Sequence, residues 1–243
     1  MNEFVVLLAS GVAFLSCWQS PCVKAVEPPP ALEIRMPKPE LAKARERLAA
    51  NEGKLGADHA ETLSSRYNLA ETWFFWGEYK EAEQEHRTAR LARKRVLGPD
   101  HRDTLQSGHC VALCLRRQGK IAEAETELKE VLAARERVLG ADHLDTVATR
   151  YELASVLLGQ RRCNEAIKEY RAVLGVLERM RGREHRETLE CCYSLAYALV
   201  DALKPDEAKP FARRAFEGAR NLLGAEHEET KLYKELWEIL QYE

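Results

Sequence analysis

The histidines have the widest chemical reach of any residues in this chain, and their spacing decides what they can do. His59, His101, His143, His185 and His227 recur every 42 residues without insertion or deletion. Neutral imidazole is a common metal ligand, so five periodic copies invite a metal reading. Geometry rejects it. If each copy opens one layer in a stack of helical hairpins, neighbouring histidines stand two helix diameters apart, about 16–20 Å, and cannot share an ion. The seven cysteines, Cys17, Cys22, Cys110, Cys114, Cys163, Cys191 and Cys192, contain no C-x-x-C pair. Cys110 and Cys114 share a helix face, but two thiols fall short of a tetrahedral zinc set. No Gly-rich phosphate loop, H-E-x-x-H or nucleophile elbow occurs. The expectation is therefore no catalytic residue, no metal and no cofactor.

What positions the histidines is a repeated element. Leu55-Gly56-Ala57-Asp58-His59-Ala60-Glu61-Thr62 returns as Leu97-Gly98-Pro99-Asp100-His101-Arg102-Asp103-Thr104 and as Leu139-Gly140-Ala141-Asp142-His143-Leu144-Asp145-Thr146. A worn copy reads Arg181-Gly182-Arg183-Glu184-His185-Arg186-Glu187-Thr188, and a fifth Leu223-Gly224-Ala225-Glu226-His227-Glu228-Glu229-Thr230. Gly after an apolar, Arg-rich stretch suits a left-handed helix C-cap. The acids that follow (Asp58 and Glu61 in the first copy) suit an acidic N-cap with an acid in the first turn. Each copy thus stops one helix and starts another. Glu81-Ala82, Glu123-Ala124, Glu165-Ala166 and Glu207-Ala208 mark the middle of each unit, with Ala70, Ala112, Ala154 and Ala196 as the matching small positions where helices approach closely.

The pattern predicts first helices near 59–76, 102–118, 144–160 and 186–202, and second helices near 79–97, 121–139, 163–181 and 205–223. Gly77, Gly119 and Gly159 fall in the turns between them. Single helices at 39–54 and 227–242 would cap the array, and Pro210 should distort the start of the last second helix. One hairpin cannot bury its apolar face alone, so the units must stack into a continuous core. Composition agrees: 45% hydrophobic and 31% charged residues with few glycines and prolines describe a soluble helical chain. A formal charge of −2 excludes the clustered cationic excess of a dedicated nucleic-acid binder.

Tyr67-Asn68-Leu69-Ala70, Gly77-Glu78-Tyr79, Glu81-Ala82-Glu83 and Leu97-Gly98-Pro99-Asp100-His101 together resemble a tetratricopeptide repeat of the long kind found in kinesin light chains. The resemblance covers about residues 40–243. It implies an all-α, right-handed α-solenoid whose first helices line a concave groove that holds peptides or partner proteins. Placed on that groove are Tyr67, Asn68, Glu71, Phe74, His109, Leu113, Arg116, Tyr151, Ser155, Tyr193 and Tyr197. Tyrosines suit such a role because each carries a rigid apolar body and a hydroxyl; their rings could equally pack between neighbouring units. The resembled family often places Asn before the Leu-Ala pair to hold a peptide backbone. Only Asn68 matches, its equivalents being Cys110, Glu152 and Ser194.

Two surface features stand apart. In Trp73-Phe74-Phe75-Trp76 four consecutive rings cannot all face one core, so at least one meets solvent, the preceding segment or a partner. The run from His86 to Arg95, with Arg87, Arg90, Arg93 and Lys94, is either a solvated helix face or a patch for an anionic surface such as acidic lipid or an acidic filament.

Residues 1–26 form a hydrophobic N-terminal segment, apolar from Phe4 to Trp18 but shorter than a normal membrane span. Residues 27–38 read as a Pro-rich linker and 39–243 as the solenoid. Three readings of the start stay open: a signal cleaved after Ala25, membrane attachment by the uncleaved segment or a lipidated Cys17, and packing on the aromatic cluster. The chain lacks the heptads by which a kinesin light chain joins its motor. It resembles the short bacterial kinesin light chain proteins associated with bacterial tubulin. This implies a non-catalytic scaffold linking a tubulin-like filament to a membrane or another partner, membrane-associated in the cytoplasm. The alternative is an exported or lipid-anchored repeat protein that assembles envelope complexes.

Overall fold

The computed structural model describes residues 39–241. The N-terminal expectations for residues 1–26 and 27–38, including Cys17 and Ala25, lie outside the described residues. Among the described residues the helices are α1 (Pro39–Leu55), α2 (Ala60–Phe75), α3 (Tyr79–Leu97), α4 (Arg102–Arg117), α5 (Ile121–Leu139), α6 (Leu144–Gly159), α7 (Cys163–Met180), α8 (Arg186–Asp201), α9 (Pro205–Leu223) and α10 (Glu228–Gln241). Each packs on its predecessor and its successor in chain order, and α4 also meets α6. The result is an all-α solenoid of helical hairpins. The paired alanines, Ala70, Ala112, Ala154 and Ala196 on first helices and Ala82, Ala124, Ala166 and Ala208 on second helices, are all fully buried. At these positions any larger side chain would hold the helices apart.

The repeated corner is built differently from the acidic cap expected of it. The cap is the histidine. His59, His101, His143 and His185 have extended backbone, and each Nδ1 accepts the amide of the acid two residues on, at 3.1–3.3 Å. His227 Nδ1 accepts from Glu229 in the same way. An imidazole nitrogen here does what a Ser or Asp oxygen does at most N-caps. The first acid is thereby free to reach elsewhere. Asp58, Asp100 and Asp142 bind Arg95, Arg137 and Arg179, clasping each corner to the next. The second acid reaches across units, Asp145 to Arg102 and Glu229 to Arg186. The following threonine turns inward: Thr104 and Thr188 donate to the carbonyls of Gly98 and Gly182 at 2.9 and 2.8 Å.

The corner glycines have positive φ as expected, but Gly98, Gly140 and Gly224 combine φ of 95°, 89° and 90° with ψ near 160°. This extended left-handed region is essentially closed to other residues. Within the hairpins, Gly77 and Gly119 take φ +78°, but Gly159 stays helical. Arg161 and Leu203 occupy the equivalent left-handed positions at φ +62° and +59°. Pro210 does not break α9, which runs uninterrupted past it; the ring lies on an exposed part of the helix.

Candidate functional site

The first helices α2, α4, α6 and α8 carry the residues expected to meet a partner, and the 42-residue register places them in rows. One row is Tyr67, His109, Tyr151 and Tyr193. Each side chain reaches the next first helix. Tyr67 Oη lies 3.3 Å from Cys110 Sγ and accepts from Gln106. His109 Nδ1 lies 3.4 Å from Thr149 Oγ1, Tyr151 Oη 2.7 Å from Ser194 Oγ, and the Tyr193 ring stacks on Tyr233 with centroids 4.6 Å apart. These are rivets between units. His109, Leu113, Tyr151, Ser155 and Tyr193 are accordingly buried, not laid open on a groove floor. Ser155 is held by Tyr170 Oη at 2.9 Å.

The neighbouring row explains where the family's asparagine went. Cys110 faces Tyr67, Glu152 pairs with Arg116 at 3.1 Å with both side chains almost enclosed, and Ser194 faces Tyr151. All three sit at unit-to-unit contacts, whereas Asn68 is exposed. Glu71, Phe74 and Tyr197 are half-buried. Burial raises the pKa of Glu152, opposed by the charge of Arg116. Burial, with Cys110 and Glu71 behind it, holds the Tyr67 phenol well above its ordinary value, so it remains a proton donor. Burial pushes His109 well below the usual imidazole range, helped by Arg135 and Arg116, and it stays neutral.

The aromatic run divides as its helical phase requires. Trp73 packs on the cluster of Leu41, Leu48 and Leu69, with the Arg45 guanidinium 4.7 Å above its ring. Phe74 meets Tyr79 edge-on at 5.2 Å. Phe75 is 79% exposed and Trp76 38%, their rings perpendicular at 5.8 Å. So an apolar pair does face outward at the end of α2.

The basic run is mostly committed internally. Arg87 pairs with Glu83 at 2.7 Å, and Arg90 with Glu127 at 2.5 Å, the latter acid coming from α5. Arg93 corrects the surface expectation outright. It is buried, donates to the Asp103 carbonyl at 3.1 Å and to Ser107 Oγ at 2.8 Å, and stacks over the Tyr67 ring. Arg135, one unit on, repeats this with Asp145 and Thr149. Lys94 is exposed and lines a shallow cleft with Arg87, Arg90 and Leu91. Glu83, four residues before Arg87 on the same helix, is readable from the sequence as its partner; Glu127 comes from the next hairpin, and local charge counting could not foresee it.

Sequence reasoning also missed a buried group. Glu71 of α2, His86 of α3 and Cys110 of α4 converge, their donor atoms all within 4.8 Å of one another. The periodic histidines drew attention to the caps, and His86 belongs to no period. Among the described residues no helix is long and apolar enough to cross a membrane.

The comparisons with known proteins agree with this architecture. Tetratricopeptide repeat models match residues 62–103, 107–179 and 188–229. No curated protein sequence matches the chain. Among solved structures, BtubC (BKLC) from P. vanneervenii superposes with a TM-score of 0.73 at 15% identity, covering 84% of this chain and 82% of its own. A Podosopora anserina protein of nearly identical TPR-like repeats, named for kinesin light chain, gives a TM-score of 0.63 at 21% identity, covering 75% of this chain and 87% of its own. A single-substitution form of that protein gives 0.64 at 21% identity, with 75% and 86% covered. The stacked hairpins, the buried alanine pairs and these matches lead to one conclusion: the chain belongs to the tetratricopeptide repeat family, with a protein-interaction fold similar to kinesin light chain-like proteins and BtubC.

Proposed function

We propose that the chain is a non-catalytic scaffold whose first-helix face grips an extended segment of a partner protein, and that the partner is a tubulin-like filament. The observation that carries this reading is the uninterrupted row of first helices. Units of constant length bring one face of each helix into line, and a partner running along the row can contact every unit. Asn68, Glu71, Phe74 and Tyr197 are the groups on that face accessible enough to meet it directly, whereas the Arg116 side chain is enclosed with Glu152. Tyr67, His109, Leu113, Tyr151, Ser155 and Tyr193 act behind them by setting the spacing of the units. The likeness to BtubC supports the filament as partner. The apolar residues 4–18 support a second attachment, to a membrane, which would make the chain a linker. Oligomeric state plays no part in this reading.

Co-sedimentation of the full chain with bacterial tubulin filaments tests it. Binding should weaken at least ~10-fold when Asn68 and Phe74 are both changed to Ala, since accessible aromatic anchors dominate such interfaces. A chain that stays in the supernatant at all filament concentrations would end the filament reading. Binding lost in Lys94→Glu but retained in the Asn68/Phe74 variant would move the contact to the second-helix face. Membrane fractionation together with mass spectrometry of the native N-terminus separates attachment from export.

A further inference from the structure

The contact of α2, α3 and α4 holds three chemically capable side chains. Glu71, His86 and Cys110 come from three successive helices and place O, N and S donors within 4.8 Å of one another. His86 Nε2 is 3.2 Å from Glu71 Oε1. His86 has no exposed surface, and neither of its ring nitrogens makes a hydrogen bond. Nε2 has the Glu71 carboxylate beside it but out of hydrogen-bond geometry, and Nδ1 makes no hydrogen bond. A buried polar group left unbonded costs roughly 1–3 kcal/mol, so the position is anomalous unless something else satisfies it.

The repeat supplies its own controls. One unit later the places of Glu71 and His86 are taken by Leu113 and Leu128, both buried, and the locus is apolar. Two units later they are Ser155 and Tyr170, which close a hydrogen bond at 2.9 Å. The ring geometry is kept: Tyr67 meets His86 edge-on at 5.1 Å, as Tyr151 meets Tyr170 at 5.3 Å. The fold therefore asks only for apolar packing or a closed polar pair here. The first unit alone brings three ligand types together and leaves the imidazole unsatisfied.

We propose that Glu71, His86 and Cys110 bind a zinc-class divalent ion, with the fourth position left to water. Mixed N, O and S donors select zinc over magnesium or calcium. In a tetrahedral zinc site, bonds of about 2.0–2.3 Å place the ligand atoms roughly 3.3–3.8 Å apart. The Glu71–His86 pair, at 3.2 Å, is within about 0.1 Å of this spacing, and Cys110 needs a shift of at most about 1 Å. Binding releases the thiol proton of Cys110 to solvent, and the thiolate becomes the sulfur ligand. Tyr67 Oη at 3.3 Å and Gln106 Nε2 at 3.5 Å are placed to donate to that sulfur, the outer-shell support such ligands require. The ion would staple the first hairpin to the second.

The test uses the full chain, reduced and stripped of metal, titrated with Zn2+ against a chromophoric chelator, and in parallel with Co2+. The expected result is one tightly held equivalent per chain and a thiolate-to-cobalt charge-transfer band with tetrahedral d–d absorption. His86→Leu, which installs the residue of the next unit, and Cys110→Ser should each weaken zinc at least ~10-fold, since even outer-shell losses cost about that much. Cys110→Ser should also abolish the charge-transfer band, and zinc should raise the Tm of the wild type only. Equal zinc affinity in wild type and His86→Leu would overturn the proposal, as would a wild-type cobalt spectrum without the sulfur band. The cobalt spectrum needs no variant, so a misfolded substitution cannot shelter the idea.

Discussion

Two glycines lie inside helices and should respond oppositely to the same methyl group. A Cβ built on Gly175 in α7 meets nothing within 4 Å. A Cβ on Gly218 in α9 would lie 2.4 Å from Leu189 Cδ2, 2.8 Å from its Cδ1 and 3.2 Å from its Cγ. Leu189 belongs to α8 and is itself buried, so both of its branches are enclosed and it cannot swing clear. Both Gly→Ala changes gain the same helix propensity, about 1 kcal/mol. Only Gly218→Ala adds overpacking, typically 1–3 kcal/mol. Gly175→Ala should then stabilise by about 1 kcal/mol, while Gly218→Ala should be neutral to about 2 kcal/mol destabilising. The difference between them isolates the packing cost. For a chain of this size roughly 2–4 °C of Tm corresponds to 1 kcal/mol, so the two variants should separate by about 2–12 °C in thermal unfolding followed by circular dichroism. Equal shifts in the same direction would show that α8 and α9 do not meet as closely as the structure has them.

Other expectations follow from single positions. Leu203 is 89% exposed with φ +59°, and a left-handed residue with a Cβ costs about 1–2 kcal/mol; Leu203→Gly should raise Tm, and a fall would refute the strain. His143→Ala removes a helix cap and should cost about 1 kcal/mol in urea unfolding, whereas His143→Asn should restore most of it. Glu190 is buried with Oε1 unpaired, and burial, then the charges of Glu229 and Glu152, push its pKa well above the ordinary carboxyl value. Its folded pKa thus exceeds the unfolded one, so its contribution is complete below the unfolded value and is lost as pH rises through the folded value. Glu190→Gln, which installs the second unit's Gln106, should gain on the wild type as pH rises above the ordinary glutamate range; a pH-independent offset between the two would contradict this.

The division between what was legible in the sequence and what was not follows interaction range. Helix bounds were readable to within a residue or two because Gly98, His101 and Asp103 act on backbone groups only a few residues away. The constant period forced the stacking, since no single hairpin can bury its own apolar face. Even so, the cap was assigned to the wrong residue of the corner: acid and histidine are adjacent, and only the folded corner shows that Asp100 turns to Arg137 while His101 takes the amide.

The side-chain environments belong to the tertiary structure. Whether Arg93 faces solvent or Tyr67, whether Tyr151 lies open or closes on Ser194, and whether Glu71, His86 and Cys110 meet at all depend on which face of one hairpin is laid against the next. Helical phase restricts that face only to a broad arc, while a hydrogen bond or a metal bond is settled within a few tenths of an ångström. Periodicity along the chain therefore determined the architecture. The chemistry at each contact was decided by packing between residues that lie dozens of positions apart.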